Sequence, residues 1–70
     1  MIYTNRQIAA AKFHKASTKR VLAAKVAEYE EAATIADDTG CPAASMIAAE
    51  LAAEIASLEA VIERYNKIAA

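Results

Sequence analysis

The chain has 70 residues, 57% of them hydrophobic, and a formal net charge of -1. That length allows one domain, and chains below ~80 residues rarely bury enough apolar surface to hold a core unaided. Cys41 is the single cysteine and His14 the single histidine, which excludes an internal disulfide and a structural zinc site and leaves association as the available staple.

The opening stretch has no acid before Glu28 and carries Arg6, Lys12, Lys15, Lys19, Arg20 and Lys25. This superficially resembles an organellar transit peptide, but it is read here as the start of an ordered helix. Thr4 followed by Gln7 has capping-box spacing. Helix 1 is expected over about residues 4–38. Its seam reads Ile8, Ala11, Lys15, Thr18, Leu22, Val26, Tyr29, Ala33 and Ala36. Lys15 and Thr18 interrupt that seam, and Ser17-Thr18 can cap a new helix, so a break near residue 17 with a short extra N-terminal helix is the alternative.

Gly40 and Pro42, the one glycine and one proline, fall together after Asp37-Asp38-Thr39. Glycine suits the left-handed end of a helix and proline the first turn of the next. Helix 2 is expected over about residues 42–69. It carries two stripes at steps of three and four. The larger is Ile47, Leu51, Ile55, Leu58, Ile62 and Tyr65; about half a turn away lie Ala49, Ala53, Ala56 and Ala60. A helix with two apolar faces needs two things to pack against, and one short chain supplies only one. The expected fold is an all-α antiparallel helical hairpin, one domain over residues 1–70, dimerising into a four-helix bundle. The alanine ridge at Ala49, Ala53, Ala56 and Ala60 is the expected self-association face.

A hairpin turning near Gly40 pairs residues whose numbers sum to about 80. Leu22 then meets Leu58, Lys15 falls opposite Tyr65, Lys25 lies near Glu54, and Lys19 lies near Glu59 and Glu63. Residues 28–63 hold nine acids and no lysine or arginine, and such pairs account for part of that layout.

Opposite the helix 1 seam, Arg6, Phe13 and Arg20 recur at seven-residue intervals on a bed of Ala9, Ala16, Ala23, Ala24 and Ala27, with Lys12 beside them. An aromatic ring between two guanidiniums over alanine has the composition of an interface hot spot. Such a patch meets either a foreign protein or the chain's own copy. The basic N-terminal half can instead track phosphates of a nucleic acid or nucleotide. A pI near 5.7 argues against that reading and favours charges paired within the hairpin or dimer.

Ala36, Gly40 and Met46, with Ile35 and Ala49, have spacing similar to a helix-turn-helix. The would-be recognition helix Pro42–Glu50 offers only Ser45 before an acid, so a hairpin turn explains the spacing better. Catalysis finds no set of groups. His14 has no cysteine or acid at helical spacing, Cys41 reads as a loop or cap residue, and Glu50 with Glu54 lacks a matching histidine. Lys15 at the seam is read as a register residue, with a small anion pocket shared with Tyr3 and Tyr65 as its alternative.

The resulting expectation is a cytoplasmic, non-enzymatic interaction protein with no cofactor or metal and no membrane span. It would be a homodimeric regulator or inhibitor that sterically blocks a larger protein through Arg6, Lys12, Phe13, Ala16 and Arg20. Size, alanine richness and the lack of a catalytic set suit a phage- or mobile-element-encoded regulator, without a motif behind that origin. The alternatives are a nucleic-acid or nucleotide binder and a structural assembly subunit.

Overall fold

The computed structural model describes residues 2–69. Two helices, α1 (Asn5–Thr39) and α2 (Pro42–Ile68), lie side by side and antiparallel, with no strand among the described residues. The start of α1 is closed reciprocally. The Gln7 backbone N–H donates to Thr4 Oγ1 at 3.2 Å, and the Thr4 N–H donates to Gln7 Oε1 at 2.8 Å, satisfying two of the donors that a helix start leaves orphaned.

The turn follows the glycine–proline signal. Gly40 takes φ 65° and its N–H reaches the Ala36 carbonyl at 2.8 Å. Thr39 Oγ1 donates to the Ile35 carbonyl at 2.6 Å and accepts the Cys41 N–H at 3.2 Å. Cys41 is the N-cap of α2 and caps with no side-chain bond; Pro42 opens the first turn.

α1 does not break near Ser17. It runs unbroken from Asn5 to Thr39, because Thr18 turns its hydroxyl back to the His14 carbonyl at 2.7 Å instead of capping a new helix. Thr34 does the same to Glu30 at 2.8 Å. Such back-bonding satisfies a mid-helix hydroxyl without ending the helix. The structure therefore has no extra N-terminal helix.

The α1 seam is as expected: from Ile8 to Ala36 each of its residues is buried or half-buried, Lys15 included. The α2 stripe needs one correction. Ile47 is 51% exposed, and Ala44 and Ala48 face α1 in its place. Toward the turn the buried residues are Ala32 and Ala44, both small. Among the described residues the buried apolar ones are Ala11, Ala32, Ala44, Leu51 and Ala69, and no side chain is fully buried.

Two long helices laid side by side make an elongated body of 51 × 18 × 14 Å with a radius of gyration of 15.9 Å. A compact 70-residue domain would have about 11 Å. The accessible surface is 5147 Å², against about 4,200 Å² for a compact monomer of this mass.

Because Gly40 sits in the left-handed region with nothing within 4 Å of an added Cβ, Gly40→Ala meets only backbone strain. It should cost about 1–2 kcal/mol, read as a lower midpoint in urea. Thr4→Ala opens the capping box and should cost about 1 kcal/mol, read as a fall in melting temperature with little loss of helical signal.

Candidate interaction surfaces

Three surfaces of the hairpin are distinct. The first is the outer edge of α1, where seven-residue steps set Arg6, Phe13 and Arg20 in one row, about 10 Å apart. All three are exposed, as are Lys12 and Ala16, and the Phe13 ring is 68% open to solvent. That ring is anchored on one side by His14, edge-on at 5.6 Å between centroids. His14 in turn stacks on Tyr65 of α2 at 6.2 Å with 23° between ring planes. Three rings thus run in series from the outer edge to the partner helix.

The second surface is the outer edge of α2. Ala49, Ala53, Ala56 and Ala60 all lie there, all exposed, half a turn from the seam. The chain by itself covers neither this ridge nor Phe13.

The third surface lies on one side of the hairpin and combines both helices. On α1 it is the row Gln7, His14, Val21, Glu28 and Ile35, each one residue before a seam residue; on α2 it is Ile47, Glu54, Val61 and Ile68. Two grooves open on it. The open-end groove, about 260 Å³, is lined by Tyr3, Gln7, Ala10, Ala11, His14, Tyr65 and Ile68. The mid-hairpin groove, about 310 Å³, is lined by Val21, Lys25, Glu54, Ser57 and Leu58. Val21, Ile35 and Ile47 are 48%, 44% and 51% exposed.

The groove beside Tyr3 and Tyr65 is lined by His14 and not by Lys15, so it is not the anion pocket weighed as the alternative role of Lys15. Lys15 stands one residue further round, in the seam. No hydrogen bond joins it to Tyr65 among the described residues; the Tyr65 ring stacks with the His14 imidazole.

Across the mid-hairpin groove Lys25 Nζ meets Glu54 Oε2 at 3.0 Å, as the register predicts. The predicted partners of Lys19 are not engaged. Among the described residues no ion pair joins it to Glu59 or Glu63, and all three side chains are exposed, where pairing gains little over hydration. The helix-turn-helix reading also fails on geometry. The helices run side by side along their length, and Met46 is 66% exposed.

The described residues contain no group of three or more His, Cys, Asp or Glu side chains placed to hold a metal ion. No helix is long and apolar enough to cross a membrane. Comparison with family models, with curated proteins and with solved structures finds no match.

The Lys25 ammonium is held above the ordinary lysine value of 10.5 by its hydrogen bond to Glu54, then by the charges of Glu54 and Glu28. A folded pKa raised above the unfolded one gives stability that is fully present below pH 10.5 and lost as pH rises through the folded value. Wild type should therefore lose more stability than Glu54→Gln when melting temperatures are compared at pH 7 and above pH 10.5. An equal loss in both would show that the pair does not hold the hairpin register.

Proposed function

We propose that this chain is a small non-enzymatic interaction protein, a homodimer that occupies and blocks a surface on a larger protein. The observation that carries the reading is the row Arg6–Phe13–Arg20 on the outer edge of α1. A large aromatic ring 68% exposed, braced by His14 and flanked by two exposed guanidiniums, is costly to leave in water without a use. Its composition matches the aromatic and arginine anchors that dominate binding energy in protein interfaces. Phe13 enters a pocket, Arg6 and Arg20 grip carboxylates on the target, and the alanines around them, Ala16 among them, let the partner's backbone approach closely. The chain's long, thinly packed hairpin supports the homodimer part of the reading, since a second copy supplies apolar cover that one copy lacks.

Origin in a phage or mobile element and a place in the cytoplasm belong to the same reading, resting on size and the single free thiol. The nucleic-acid alternative draws on the same basic half of the molecule. Lys25 is its one basic side chain in an ion pair among the described residues.

The test is affinity capture from the source cell, with wild type and the double variant Phe13→Ala/Arg20→Ala as bait. A protein retained by wild type should be lost by the variant. Removing two anchors of about 2 kcal/mol each weakens binding by roughly a thousandfold, while the helical signal should be unchanged. Retention of nucleic acid instead, released by raising salt, would move the function to the alternative reading.

A further inference from the structure

The geometry points to the grooved side of the hairpin, not the alanine ridge, as the seat of a second copy of this chain, docked antiparallel about a two-fold axis at Ser57. The inference rests on the homodimer reading above and specifies its face and orientation.

Charge selects the occupant and its direction. Residues 23–57 form the turn-side half of the rod and hold seven acids and one base, Lys25; the open-end half holds the other seven bases and two acids. Over a 51 Å body this is a strong lengthwise polarity. Parallel docking would set acidic end on acidic end. Antiparallel docking sets each acidic end on a basic one, so the molecule is complementary to its own reversed copy. The α1 dipole does not account for the polarity, although Lys67 in the last turn of α2 sits where the dipole of that helix favours it. α1 has no acid in its first turn and no base in its last, the reverse of what its own dipole favours.

Shape and charge then agree on one axis. Glu50, Ser57 and Arg64 form a row at seven-residue steps along the grooved margin of α2, with Ser57 lining the mid-hairpin groove. A two-fold axis at Ser57, running across the hairpin from α1 to α2, stacks each helix on its own reversed copy. Glu50 of one copy then comes level with Arg64 of the other. The same axis carries the exposed isoleucines Ile35 and Ile47, about 16 Å from Ser57 along the rod at 1.5 Å per residue, onto the apolar open-end groove of the other copy. Val21 falls near the axis and meets its own counterpart.

The area is sufficient. A face of 51 × 18 Å lets each copy cover on the order of 900 Å² of the other, about 1,800 Å² in total, which is the size of a specific protein interface. The alanine ridge has only methyl groups to offer in exchange.

The test begins with the molar mass of the wild-type chain by light scattering at micromolar concentration, expected at twice 7.4 kDa. Copper–phenanthroline oxidation of Cys41→Ser/Ser57→Cys should then link two copies at the axis, and oxidation of Cys41→Ser/Ala53→Cys should not. Glu50→Arg and Arg64→Glu should each raise the dimer dissociation constant about fivefold at low salt, and the double variant should recover wild-type affinity. A monomeric wild type overturns both this inference and the homodimer reading, leaving the face to a foreign protein. A dimer that links through Ala53 and not Ser57, that links at neither, or whose charge swap is not restored, overturns this face and orientation while the homodimer stands.

Discussion

The thinness of the seam between two long helices constrains everything else in this molecule. Among the described residues Ala11, Ala32, Ala44 and Ala69 are buried and Leu51 is the one large apolar side chain buried with them, while Leu22, Val26, Ile55, Leu58 and Ile62 are only half-buried. Alanine lets the backbones approach closely, but it contributes little apolar area per residue. Helices of 35 and 27 residues must be held in order by that small area, against a backbone entropy of about 1–2 kcal/mol per residue. Good local chemistry reduces the deficit: a complete capping box, a glycine in the left-handed region at the turn, and a high content of alanine. It does not remove the need for cover. The elongated shape and the excess surface follow from two helices of this length lying side by side in a single layer.

From that constraint comes the division of the surface. Each helix spends one stripe on its neighbour in the chain. What remains is an aromatic and basic outer edge on α1, an alanine edge on α2, and a grooved apolar side built from both. The ring series Phe13–His14–Tyr65 joins the first of these to the third, because His14 touches Phe13 and also lines the open-end groove. In the proposed account the grooved side is used for self-association and the α1 edge for the target. A second copy would then leave Phe13 free, and its reversed placement would present two Phe13 edges to one or two target molecules.

Much of the fold was legible in the residue order, for identifiable reasons. Thr4 with Gln7, and Gly40 with Pro42, are local signals whose chemistry depends on a few neighbouring atoms, and both act as expected. The α1 seam and the Lys25–Glu54 pair follow from helical period and hairpin symmetry alone. The misses came where a side chain had a choice that period does not decide. Thr18 bonded backwards to His14 instead of starting a helix. Ile47 lost its seam place to Ala44 and Ala48, a choice between neighbouring apolar positions that helical period leaves open. The grooved side was hidden for another reason. Its α1 row mixes glutamine, histidine, valine, glutamate and isoleucine, so neither helix shows it as a stripe, and only their juxtaposition assembles it.

The most direct measurement of the central claim, that one copy has too little internal cover to stand alone, is thermal unfolding followed by far-ultraviolet circular dichroism over about a hundredfold range of protein concentration. An associating chain should melt in one transition whose midpoint climbs with concentration, because folding and assembly are then a single equilibrium. A fully helical chain whose midpoint stays fixed across that range would contradict the account, since the hairpin would then be stable by itself.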